Sequence, residues 1–162
     1  ITGPGEESGT YDTFVEFVIQ DLAEERGVDA ASRPDYVASP NDNVIIDGIA
    51  GSKYSLGWVG YAFFAENTDT VKALEVNSGE SGCVAPSAET IASGEYPLSR
   101  PLFVYVNAKK AVDNPALSQF VDYYLSEDGL KQIANAGYVP LTDYGPTQDA
   151  WTNKVIGRNF SS

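Results

Sequence analysis

The chain opens Ile1-Thr2-Gly3-Pro4-Gly5-Glu6-Glu7-Ser8-Gly9-Thr10-Tyr11-Asp12-Thr13-Phe14-Val15-Glu16-Phe17-Val18. A Gly/Pro turn runs straight into Ser8-Gly9-Thr10. Beyond it Phe14, Phe17, Val18 and Leu22 recur at helical spacing, which predicts a helix over residues 10–26 that stops at Gly27. Such a junction places free N–H groups and the positive end of a helix dipole beside two hydroxyls, a setting that binds oxyanions. Ser and Thr are also ordinary N-caps, so the tripeptide taken alone reads first as a capped helix with nothing bound. No Lys precedes Thr10 and the spacing G-x-G-x-x-G is missing, so neither nucleotide motif is present and a free oxyanion is the ligand such a loop would take.

Outward from that loop, helices alternate with short apolar runs. Ser39-Pro40-Asn41-Asp42 predicts a second helix, with Ser39 as cap, Pro40 at its first position and Val44, Ile45, Ile46 and Ile49 on its buried face. Residues 56–60 and 71–76 read as strands, residues 61–66 as a helical turn and residues 77–83 as a Gly/Ser loop. Ser87 caps a short helix through Ala92. Residues 101–106, Pro-Leu-Phe-Val-Tyr-Val, form the strongest predicted strand. Helices follow over residues 115–125, over residues 127–136 capped by Ser126 and ending at Gly137, and over residues 148–160. This alternation predicts an α/β layered fold, with a mixed sheet flanked by helices.

Composition narrows the function classes. The 162 residues carry 43% hydrophobic side chains, a globular proportion, and a formal net charge of −13. Such acidity argues against nucleic acid and against anionic membrane surfaces. With no His and one Cys, a Ser-His-Asp triad, a Cys-His dyad and a His/Cys zinc site are all excluded within the chain, and no cofactor is expected. Cys83 has no intrachain partner, and it reads either as a buried free thiol or as a thiol whose partner lies elsewhere. No apolar run approaches membrane-spanning length.

Four further segments carry a resemblance. They are Gly57-Trp58-Val59-Gly60-Tyr61-Ala62-Phe63-Phe64, Val84-Ala85-Pro86-Ser87-Ala88-Glu89-Thr90, the run from Tyr96 to Val106, and Gly137-Tyr138-Val139-Pro140-Leu141. With the Ser8-Gly9-Thr10 loop, in this order, they resemble PstS-type phosphate-binding proteins, the extracytoplasmic receptors of bacterial phosphate ABC transporters. The resemblance implies part of a two-lobed, type II periplasmic-binding-protein fold with phosphate in the cleft. It implies capture and release without chemistry, an ABC transporter permease as membrane partner and a periplasmic or extracytoplasmic location. A complete receptor of this kind is about twice as long. The chain is therefore expected to be a C-terminal half, with the N-terminal half of the same protein as its missing partner. Residues 1–100 are expected to form the ligand-binding lobe, and residues 101–162 a return segment whose C-terminal helices pack on the other lobe.

Within that resemblance Ser8 and Thr10 supply hydroxyls to phosphate, and Gly9 and Thr10 supply backbone N–H groups. Many family members carry an Arg four residues before the Ser, where this chain has Pro4. A desolvated phosphate favours a bidentate guanidinium, and Arg33 is the candidate substitute, alongside the reading that it pairs with Asp35 or Asp29. Arg100, before Pro101, reads as structural. Glu6 and Glu7 are unexpected beside an anion. One could orient Arg33 or accept the proton of hydrogen phosphate, or both could simply complement the helix dipole. Trp58, Tyr61, Phe63 and Phe64 read as core packing rather than a sugar platform. Two rival functions stand beside phosphate capture: an enzyme acting on phosphate esters with the same cradle, and a surface or assembly module that keeps the fold without a ligand.

Overall fold

The structure, a computed structural model, describes residues 1–79 and 82–157. The chain divides into two units, Ile1–Ser87 with Tyr96–Leu98, and Ala88–Glu95 with the chain from Ser99 onward.

The first unit is built on β1 (Thr2–Gly3), α1 (Gly9–Phe14), a π-helical turn (Val15–Ile19), α2 (Gln20–Arg26), β2 (Val37–Ala38), α3 (Asp42–Ala50), α4 (Tyr61–Ala65), β3 (Val76–Asn77) and β4 (Cys83–Val84). β1 and β2 pair in parallel, Thr2 with Val37 and Gly3 with Ala38, and Gly57 bridges Thr2, also in parallel, from the opposite side. Two successive strand–helix–strand passes therefore meet at β1. α3 closes over this core, burying Ile45 at 1% exposure and Ile46 at 3%. Burial of each such side chain stabilises by about 1.5–3 kcal/mol. Val44, expected on the same face, is 48% exposed.

Several boundaries differ from expectation for local reasons. The first helix ends as predicted. Gly27 is left-handed (φ 65°), and Gly27 N–H and Val28 N–H donate to the carbonyls of Glu24 and Ala23. It does not run evenly, however. The π turn at Val15–Ile19 inserts an extra residue, which rotates the apolar stripe and leaves Phe17, Val18 and Leu22 exposed. α3 is capped by Asn41, whose side chain accepts from Asn43 N–H at 3.0 Å. Ser39 is buried instead, and its hydroxyl accepts from Asn41 N–H at 3.1 Å.

The strands are shorter than predicted. Residues 56–60 contribute only the Gly57 bridge, and residues 71–76 only the start of β3, which pairs antiparallel with β4. The two ladders are separate two-stranded sheets, not one mixed sheet. On β4 the strand alternation points Val84 inward and leaves Cys83 exposed, so the thiol is free and not buried.

The second unit is helical: α5 (Ala88–Ala92), α6 (Ala108–Asp113), α7 (Pro115–Tyr124), α8 (Glu127–Asn135) and α9 (Gly145–Thr152). Ser118 Oγ donates to Ala111 C=O at 2.6 Å, tying α7 to α6. Gln148 Nε2 donates to Leu125 C=O at 2.8 Å and Trp151 Nε1 to Asp122 Oδ1 at 2.7 Å, which fasten α9 to α7. α8 has the expected Ser126 cap. α9 starts earlier than predicted and stops at Thr152, and residues 158–160 of the expected helix lie outside the described residues. Residues 101–106 form no ladder among the described residues, contrary to the strand expected there. β-branched and aromatic residues favour strands only when a neighbour packs on them, and here Leu102 is 68% and Tyr105 85% exposed.

Candidate anion-binding site

Topology and sequence single out the same loop. β1 lies between β2 and Gly57, with parallel neighbours reached through α1–α2 on one pass and α3 on the next. Thr2 N–H donates to Leu56 C=O and Val37 N–H to Ile1 C=O, both at 2.9 Å. In open parallel α/β sheets, ligands bind outside the carboxyl ends of strands where the crossovers diverge. The carboxyl end of β1 is Gly3, which leads directly through Pro4–Glu7 to Ser8.

The loop is tightly organised. Thr2 to Gly5 are buried, whereas Glu6, Glu7 and Gly9 are exposed and Ser8 and Thr10 half-buried. Ser8 N–H donates to Gly5 C=O at 3.0 Å, and Ser8 Oγ accepts from Thr10 N–H at 3.2 Å, the geometry of an N-cap. Thr13 Oγ1 donates to Gly9 C=O at 2.7 Å. Ser8 thus caps the helix, and the Thr10 N–H proposed for an anion is held by the Ser8 hydroxyl.

Aromatic side chains from distant segments fix the base of the loop. Trp58 stacks on Phe14, with centroids 4.4 Å apart and planes 15° from parallel, and Tyr36 packs on it at 5.3 Å. This fits the core-packing reading of Trp58. Trp58 also presses on the backbone of Gly3, where a Cβ would stand 2.6 Å from the indole. Tyr36 Oη donates to Pro4 C=O at 2.8 Å, and Tyr11 Oη accepts from Ser32 N–H at 3.4 Å. Burial pushes the Tyr36 phenol above its ordinary pKa, and Tyr11, Glu6 and Glu7 add to the shift. Both glutamates therefore lie within electrostatic reach of the Tyr36 hydroxyl. The Glu7 carboxylate folds back against Gly5, where an added Cβ would collide with it.

Arg33 is engaged elsewhere. Its Nε and Nη2 donate to the two carboxylate oxygens of Asp35 at 2.5 and 2.7 Å, and both side chains are more than half exposed. Hydrogen bonding to Asp35 raises the guanidinium pKa, and the same bond lowers that of the Asp35 carboxyl. Of the two readings open for Arg33, the structure displays the pairing with Asp35. Tyr36 was not expected at the site. The only sequence signal for it is an aromatic at the end of the polar 27–38 loop, directly before β2. Among the described residues no group of His, Cys, Asp and Glu could hold a metal ion, and no helix is long and apolar enough to cross a membrane.

A family model described as "PBP superfamily domain" matches residues 1–128. Among curated proteins, protein SphX of Synechocystis sp. is 44% identical over 141 residues, 86% of this chain and 39% of its own length. The phosphate-binding protein PstS of Staphylococcus saprophyticus is 32% identical over 160 residues, 96% of this chain and 46% of its own length. Among solved structures, a possible phosphate binding protein from Planctomyces limnophilus superposes with a TM-score of 0.73 at 36% identity, covering 95% of this chain and 53% of that one. The chain thus spans about half the length of that structure and less than half of these two curated relatives.

Proposed function

The chain belongs to the PBP superfamily domain family and carries its α/β fold, and from that premise we propose that it forms part of a receptor that captures inorganic phosphate. Phosphate would bind at the Ser8-Gly9-Thr10 turn and be released, unchanged, to an ABC transporter permease on the extracytoplasmic face of the membrane. The observation that carries this reading is the convergence at one place. The carboxyl end of the central strand β1 opens onto the N-terminus of a helical run capped by Ser8. The names of the relatives supply the ligand class.

Residues 1–100 would form the ligand-binding lobe and residues 101–162 the return segment. The second wall of the cleft would come from the length of the relatives that this chain does not span. The exposed run of Leu102, Phe103, Val104 and Tyr105 supports cover from that unspanned length, because apolar side chains in such a row ordinarily find cover. With a net charge of −13 the overall field repels phosphate, so the loop must win by local donors.

Ser8 and Thr10 would turn their hydroxyls, and Gly9 its N–H group, toward the anion, whereas the Thr10 N–H would join them only by leaving the Ser8 hydroxyl that accepts it. Arg33 would join them by exchanging Asp35 for phosphate, since an exposed ion pair is weak and a phosphate offers the same bidentate geometry with more charge. Glu6 would steer that guanidinium or accept the proton of hydrogen phosphate. Titration calorimetry with phosphate, sulfate and arsenate tests the assignment. Arg33→Ala is expected to weaken phosphate by about tenfold, whereas Asp35→Ala, which frees the guanidinium, should tighten it a few-fold. Unchanged affinity in both variants would remove Arg33 from the site. Absence of phosphate binding altogether would favour a ligand-free module on the same fold.

A further inference from the structure

The anion loop is held from below by a side chain that does not itself belong to the cradle. We infer that Tyr36 is a positioning residue that sets the loop in its binding conformation before the ligand arrives, an inference that rests on the phosphate reading of the Ser8 turn. Tyr36 Oη donates to the carbonyl of Pro4 at 2.8 Å, and Pro4 is buried. The next carbonyl, Gly5, accepts Ser8 N–H at 3.0 Å, and the Ser8 hydroxyl then accepts Thr10 N–H at 3.2 Å. One hydrogen bond from the residue that leads into β2 therefore begins a short relay that ends at the cradle.

The phenol cannot easily swing away. Its ring lies on Trp58, Trp58 is stacked on Phe14, and Trp58 in turn presses on Gly3. Proline at position 4 has no backbone N–H, so the loop cannot anchor itself there by donating. It can only accept, and Tyr36 is the donor supplied. A cradle ordered in advance binds more tightly because the ordering cost falls outside the binding step.

Tyr36→Phe tests this in the protein that carries this chain, since it removes the hydroxyl and keeps the ring against Trp58. Phosphate affinity by calorimetry should fall about three- to tenfold, the range one lost neutral hydrogen bond implies. Hydrogen exchange without ligand should speed up at Ser8 and Thr10, while the amides of β1 and α3 keep their protection. Saturating phosphate should restore Ser8 and Thr10 to the unsubstituted rate. Unchanged affinity would overturn the inference. So would faster exchange spread evenly over β1, α3 and the loop, which is what a merely structural hydroxyl would give. If the unsubstituted protein binds no phosphate, the proposed function fails, and the ligand-free exchange comparison still decides whether Tyr36 holds the loop.

Discussion

Alanine in place of Gly3 is expected to destabilise the protein by about 1–3 kcal/mol, the usual cost of overpacking, and to weaken phosphate binding by at least roughly tenfold. The added Cβ would lie 2.6–2.7 Å from three atoms of the Trp58 indole. Retreat of Trp58 is hindered on the sides where Phe14 stacks on it at 4.4 Å and Tyr36 packs on it at 5.3 Å. Strain that Trp58 does not take up passes to the backbone of β1, and Gly3 is the residue from which the Pro4–Ser8 loop springs. Chemical denaturation and phosphate calorimetry on the same variant separate the two effects. A Gly3→Ala protein as stable and as tightly binding as the original would mean that the indole is not fixed over the loop.

The second large effect lies under the sheet. Ile45→Ala should cost about 2–5 kcal/mol, the range for truncating a fully buried aliphatic side chain and leaving a cavity. Ile45 is 1% exposed, on the face of α3 that covers β1, beside Ile46 at 3%. Domain stabilities are only about 5–15 kcal/mol, so the loss should be plain in a denaturant midpoint. By contrast Val44→Ala, at a 48% exposed position on the same helix, should change stability little. A loss at Ile45 no greater than at Val44 would contradict the packing described for α3.

These two positions show what could be read in the sequence and what could not. Helix ends were legible because their causes are local. Ser8, Gly27, Ser126 and Gly137 each act within a few residues, and all four stand where the capping rules put them. Ser39 misled because Asn41, two residues on, is an equally good cap and Ser39 is drawn into the core beneath it. The π turn was invisible because an inserted residue leaves no signature in an apolar stripe of ordinary spacing.

Strands fared worse. Residues 101–106 have the composition of a strand, yet a strand exists only through its partner, and no pairing is made there among the described residues. The site divides in the same way. Its local part, Ser8 to Thr10, follows from a Gly-rich turn meeting a helix. The aromatic base of Trp58, Tyr36 and Phe14 is assembled from three segments far apart in sequence, and no spacing rule joins them. Arg33 illustrates the limit from the other side. Its partner Asp35 is two residues away, close enough to compete with any distant ligand.

The most direct test of phosphate capture at the β1–α1 turn is a phosphate titration followed residue by residue at the backbone amides by NMR. The account predicts saturable shifts that are largest at Ser8, Gly9 and Thr10, with smaller ones at Arg33 and Tyr36, and none of comparable size at α7 or α9. Saturable shifts centred elsewhere, or a Ser8–Thr10 turn unmoved at phosphate concentrations that saturate the protein, would contradict it.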